Sequence, residues 1–506
     1  MPSPYLDYPA VTDRHLLLER ILKRLQLQAV RQGQPVSQVL TQFFLQWFAN
    51  NSDTQQQQQA AKTTPVNQKQ ALSSSVPGLM RAQSSNLTSS TTISSSNSSR
   101  RSSNSNASLV SSTPDDASSI SSNEEDTTTA PSSATAATPK PPNPFWSIPG
   151  LGIDQISEFL AWAMFAKERH DLTNAESTEL QKCLEILRIR AGLVFHNEPN
   201  SPYKARRLCL EDVAPLHRPL MVYLWVEGLR ALAGWVLRLW GFVPVTHGAV
   251  PGWYRPGRKL ADTSTTPKQQ LPLVFFHGIA PAGLTFYLPM ILNLVSDGRP
   301  TLLVEQPSIS GRLGMFGAVS EEEMMEAVEQ MICDTIDRDP TTQDSAVLWA
   351  GHSFGSCPLT WMWRRPTLRQ RSAGILLLDP VTILLSEPAV MMNFLYARDI
   401  SKIRMVAASE VFTEYYLRRH FAWYNAEVWV EDIASCPVTV ALSGCDEIVD
   451  APAVAAHLLT CPSVRTIYWP TARHAHCVTS PTKWRQLQQA LWEQETKYWE
   501  PQVEAS

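Results

Sequence analysis

Six short apolar runs punctuate the second half of the chain: Leu273 to Phe276, Thr301 to Val304, Ala346 to Ala350, Gly374 to Leu378, Val438 to Leu442 and Arg465 to Trp469. Each is too brief for a packed helix and apolar at successive positions, as a strand covered on both faces must be. Between them lie stretches of helical character, Leu284 to Val295, Glu321 to Ile336, Cys357 to Trp363, Ala453 to Leu459 and Lys483 to Trp499. Glu321 to Glu323 set negative charge where a helix N-terminus favours it. This alternation predicts an α/β architecture, a mostly parallel sheet with helices on both faces.

The chain has 506 residues, more than one compact core needs, and composition shows where the surplus lies. Residues 51–143 contain no aromatic side chain and are dominated by Ser, Thr, Gln and Asn, so they read as a disordered linker that buries too little to offset its ordering entropy. Residues 1–50 form a helical segment, with Leu18, Ile21, Leu22, Leu25, Leu40, Phe43, Phe44 and Trp47 three and four apart and a break at Gly33 and Pro35. Residues 144–260 read as a helical preface that Asp154 can cap. Within it, 219–243 is apolar apart from Glu227, Arg230 and Arg238. Three charges at about 2.5–3.5 kcal/mol each favour a core-packed or interfacial helix over one that spans a bilayer. Residues 261–500 hold the α/β domain, and an aromatic- and methionine-rich insertion over about 381–435 reads as a helical cap.

Net charge of −4 and a pI near 6.3 supply no basic stripe, so nucleic acid is not expected as a partner. Eight cysteines without ladder or CxxC spacing suggest reduced thiols, with no metal and no organic cofactor implied. No secretory or transit-like segment opens the chain, which suggests a cytoplasmic or peripheral-membrane protein. Ser310 to Gly314 is glycine-rich yet lacks the Gly-Lys-Ser/Thr ending of a phosphate loop.

The chemistry centres on Gly351-His352-Ser353-Phe354-Gly355, which follows one strand and precedes a helix. A serine on so sharp a turn is strained and crowded by backbone, which is why glycine stands two residues to either side. A candidate acid and candidate bases follow it, each in the loop after a later strand. Asp446 ends the run Val438 to Leu442, and His474 and His476 lie beyond Arg465 to Trp469. His474 is the favoured base and His476 the alternative; Asp379, ending another strand, is the alternative acid.

With Phe276-His277-Gly278, these motifs make residues 271–499 resemble an α/β-hydrolase domain of the esterase and lipase kind, just under half the chain. The resemblance implies that Ser353 is the nucleophile of an acyl-enzyme mechanism and that the backbone amides of Ile279 and Phe354 hold the oxyanion. The expected substrate is a small-molecule or lipid-like carboxylic ester, and the apolar helix adds peripheral membrane contact. Acyl transfer to an alcohol on the same triad, or an inactive hydrolase-fold scaffold, are the rival expectations.

Overall fold

A computed structural model describes residues 11–50, 145–257, 270–313, 317–342, 346–396 and 407–500. The polar segment read as a linker, Gly314 and part of the cap insertion lie outside these residues.

The N-terminal segment is a helical hairpin, α1 (Val11–Gln32) and α2 (Val36–Gln46), reversed at Gly33 and Pro35. It leads into a short strand β1 (Phe48–Asn50), which pairs antiparallel with β2 (Tyr203–Ala205). Between these strands in sequence come α3 (Ile153–Phe165) and α4 (Asn174–Ala191). Gly152, not Asp154, is the N-cap of α3, with the Gln155 side chain returning to the Gly152 amide; Asp154 lies in the first turn and pairs with Arg169. A Thr173–Glu176 capping box opens α4, and Gly192 closes it in the left-handed region. The apolar helix α5 (Leu220–Leu239) follows.

Eight strands form the main sheet: β3 (Val243–His247), β4 (Val250–Arg255), β5 (Leu273–Phe276), β6 (Thr301–Val304), β7 (Val347–His352), β8 (Ser372–Leu378), β9 (Val438–Ser443) and β10 (Val464–Trp469). Their spatial order is β3-β4-β6-β5-β7-β8-β9-β10, with β4 antiparallel to both neighbours and the rest parallel. Strands β5, β6, β7 and β9 are buried at every position. The edge strand β10 instead shows residues of mixed exposure between its buried ends, and β3 at the opposite edge is largely exposed and carries Pro244.

The crossovers include α6 (Leu288–Leu294), α7 (Glu321–Asp334), α8 (Ser356–Arg364) and α10 (Ala451–Leu458), the cap contributing α9 (Val411–Arg419) between α8 and α10, and α11 (Pro481–Trp499) follows the last strand. A capping box between Ser320 and Glu323 starts α7. The hairpin β3–β4 is an addition to the expected strands and extends the sheet beyond the six apolar runs.

Candidate active site

Strand β7 brings the chain to the C-terminal edge of the sheet and turns where only glycine fits on either side. A Cβ at Gly351 would lie 2.4 Å from Gly355 O, and one at Gly355 would lie 2.3 Å from Phe276 O. Backbone therefore meets backbone around Ser353, whose φ of 53° is a left-handed conformation costing a side-chain-bearing residue about 1–3 kcal/mol. A single 3-10 turn, Ser353–Gly355, then runs into α8.

The loops after β9 and β10 reach the same place. His474 Nε2 lies 3.0 Å from Ser353 Oγ, and His474 Nδ1 lies 2.6 Å from Asp446 Oδ2. The other carboxylate oxygen of Asp446 accepts the amides of Ile448 and Val449 at 2.7 and 2.9 Å, which fixes the carboxylate's orientation. Glu447 accepts the His474 amide and pairs with Arg473, holding the base loop from outside. Burial alone would depress the His474 pKa, but the hydrogen bond and charge of Asp446, with Asp379 and Glu447 behind, raise it above the ordinary imidazole value. With Nδ1–H given to the carboxylate, Nε2 is left as the acceptor facing the serine hydroxyl.

His476 opens the next helical turn with its side chain exposed, and among the described residues no hydrogen bond joins it to Ser353 or Asp446. Asp379, after β8, is fully buried with φ of 42°. Its carboxylate accepts Ser443 N at 2.8 Å, Ser443 Oγ at 3.0 Å and Ala475 N at 3.2 Å, lacing the start of the acid loop to the base loop from beneath. Burial pushes its pKa up to about 6. The carboxylate bonded to the His474 ring is that of Asp446.

A second buried chain of polar groups supports the first-strand loop. Tyr287 Oη accepts the Gly278 amide at 3.0 Å and is hydrogen-bonded to His352 Nδ1 at 2.8 Å, while His277 Nε2 accepts the Gln306 amide at 2.9 Å. His352 is held neutral by burial and by the neighbouring His474 and His277, its pKa well below the ordinary value. Tyr287 and Glu447 are parts that sequence reasoning did not find. Tyr287 ends a 3-10 turn without a local motif, whereas the acidic pair Asp446-Glu447 facing Arg473-His474 was a readable signal.

The amides of Gly278 and Ala280 are engaged by Tyr287 Oη and Ile309 O; among the described residues no bond engages the Ile279 amide between them. Ile279, Ser353 and Phe354 line one pocket whose far wall is apolar: Val381, Leu385, Met391, Phe394, Leu417 and Phe421. Two groups bring metal-ligand atom types within 4.8 Å, His352 with Asp379 and Cys477, and Asp379 with Asp446 and His474. In the first, the Cys477 thiol is fully buried, and burial drives its pKa well above the ordinary value. In the second, both imidazole nitrogens are committed to Asp446 and Ser353.

Strand order, the strained serine turn and the three loops that converge on it define the α/β-hydrolase fold. No protein-family model matches the chain, and no curated protein matches it in sequence. Solved structures similar to it include a thermostable esterase from Pseudomonas putida, at 15% identity and a TM-score of 0.38, covering 56% of this chain and 92% of that one. A membrane phospholipase A described as a bacterial virulence factor is similar at 13% identity and a TM-score of 0.37, covering 54% and 94%. An esterase from Thermogutta terrifontis is similar at 16% identity and a TM-score of 0.36, covering 51% and 98%. Likenesses this distant carry no argument about activity, which has to come from the site itself.

Proposed function

We propose that the chain is a serine-type carboxylic ester hydrolase acting on a lipid-like ester through an acyl-enzyme on Ser353. The observation that carries this reading is the unbroken relay from Ser353 Oγ through His474 to Asp446, at 3.0 and 2.6 Å, beneath an apolar cavity. Ser353 Oγ attacks the acyl carbonyl carbon while its proton passes to His474 Nε2, and Asp446 steadies the imidazolium so formed. The carbonyl oxygen becomes an oxyanion, for which the amides of Ile279 and Phe354 are the donors; one such donor is worth about 2.7–4 kcal/mol. His474 returns the proton to the leaving alkoxide as the C–O bond breaks. Water, deprotonated by His474, then attacks the acyl-enzyme, releasing the acid and restoring the serine.

The lipid-like substrate rests on the cavity wall, where methionine and aromatic side chains suit a flexible acyl chain better than a polar acid. A fluorophosphonate probe should label the parent protein and leave Ser353→Ala unlabelled, and p-nitrophenyl esters should turn over faster as the acyl chain lengthens from acetyl to medium length. Equal labelling of both proteins would refute the nucleophile. Turnover confined to the acetyl ester would refute the lipid-like substrate and leave the nucleophile standing.

A further inference from the structure

Helix α5 turns Glu227 and Arg230 toward the domain and most of its large apolar side chains toward solvent. Glu227 and Arg230 pair at 2.6 Å, Arg230 also donates to Ser310 O at 2.9 Å, and Glu227 accepts the Leu313 amide at 3.1 Å. Tyr223 donates to Glu410 at 3.0 Å, and Arg238 lies over the Trp253 ring. On the opposite face Met221 is 80% exposed, Trp225 68%, Trp235 58% and Leu239 65%. Phe286, on the 3-10 turn packed against α5, is exposed as well, as is Leu313 in the loop bonded to Glu227. A helix on a water-facing surface has the reverse arrangement.

Three observations favour a lipid surface as the occupant. First, α5 has the length and mean hydropathy, 20 residues and 1.4, of a segment that partitions into a bilayer. The bonds of Tyr223, Glu227 and Arg230 nevertheless hold it lengthwise along the domain, so it can lie in an interface but not cross it. Second, Trp225, Trp235 and Trp240 are spaced along the exposed face, and tryptophan concentrates at headgroup depth. Third, Arg238 is exposed on the flank of that face, three residues from Trp235 and next to Leu239, where a cation meets an anionic headgroup layer.

We infer that α5 seats the protein on an anionic bilayer, its outer face buried at the boundary of headgroups and acyl chains. The seat adjoins the cap through Tyr223, which bonds the Glu410 cap of α9, and Leu417 of α9 lines the cavity. Seating stands on α5 alone, whereas delivery of ester substrate from the bilayer rests on the catalytic reading above.

The test is flotation of the full chain with vesicles of phosphatidylcholine containing a minority of phosphatidylglycerol. The parent should float, and its tryptophan fluorescence should be quenched by lipids brominated in the acyl chain. The combined variant Trp225→Gln, Leu232→Gln, Trp235→Gln and Leu239→Gln changes exposed positions only, so its melting temperature and fluorophosphonate labelling in solution should be unchanged. Its vesicle-bound fraction should fall by about tenfold or more. A parent that stays in solution and is not quenched overturns the inference, as does a variant that floats like the parent. A dimer in light scattering that the variant abolishes, without flotation, would assign the face to a second copy and equally overturn it. Flotation without labelling would leave the seat standing and remove the catalytic reading.

Discussion

Asp446 and Asp379 lie on adjacent strand ends, yet their surroundings give them different work. Asp446 touches the imidazole and has its second oxygen occupied by two amides, so Asp446→Asn should favour the wrong His474 tautomer and lower kcat by on the order of 10³–10⁴-fold with little change in KM. Asp379 holds loops and not the ring, so Asp379→Asn should cost about tenfold, measured on the same ester. The two differ in pH behaviour as well. Because the His474 pKa is raised above 6.5 and catalysis needs the neutral ring, kcat/KM should fall as pH drops through a midpoint above 6.5. That acid limb should shift downward in Asp446→Asn, where the charge that raises it is gone. Asp379 titrates at about 6 folded, against an ordinary value of 3.8, so the folded state binds this proton more tightly than the unfolded chain. Its contribution to stability is therefore intact below 3.8 and is lost as pH rises through about 6. Denaturation midpoints at pH 4 and pH 7 should show a smaller decline, or a larger gain, in Asp379→Asn than in the parent.

At the scale of elements, legibility followed burial. Strands β5 to β9 were readable because interior parallel strands must be apolar at successive positions, and the order Ser353, Asp446, His474 along their C-terminal ends came with them. The hairpin β3–β4 was not readable. Pro244, Pro251 and Gly252 interrupt it, and β3 has no buried face to set a period of two. The positive φ of Asp379, whose carboxylate takes three amide and hydroxyl donors from distant loops, likewise leaves no trace in sequence. The direction of α5 was available and unread: Glu227, Arg230 and Arg238 stand three and eleven apart, about one and three whole turns, hence on one side. Helix α1 carries a further consequence. Arg24 bonds Glu427 at 2.6 Å and Ser386 Oγ at 2.6 Å, and the Glu427 side chain is wholly buried in the cap. Arg24→Met strands that carboxylate and should destabilise the protein by about 3–5 kcal/mol in urea denaturation. The double variant with Glu427→Gln should recover much of the loss.

At the scale of the whole molecule, the N-terminal hairpin is a packed element of the domain. Leu18, Ile21, Leu22, Leu40 and Phe44 are buried in the cluster that also holds Phe159 and Trp162 of α3 and continues to Phe276 and Trp349 of the main sheet. Trp47 meets Phe159 at 5.7 Å and Trp162 at 5.5 Å, β1 is paired to β2, and Arg20 bonds Asp432 on the cap. These contacts come from residues more than a hundred positions away, so the hairpin closes a core that the later chain cannot close alone. A chain starting at residue 145 would expose α3 and the underside of the cap, whose Leu395 and Leu417 line the cavity wall. Such a chain should be insoluble or melt about 10 °C or more below the parent, with fluorophosphonate labelling lost in parallel. Adding a peptide of residues 11–50 in trans should restore part of both, because the contacts are non-covalent. A truncated protein with the parent's melting temperature and labelling rate would show that the hairpin is an appendage and leave it free for another partner.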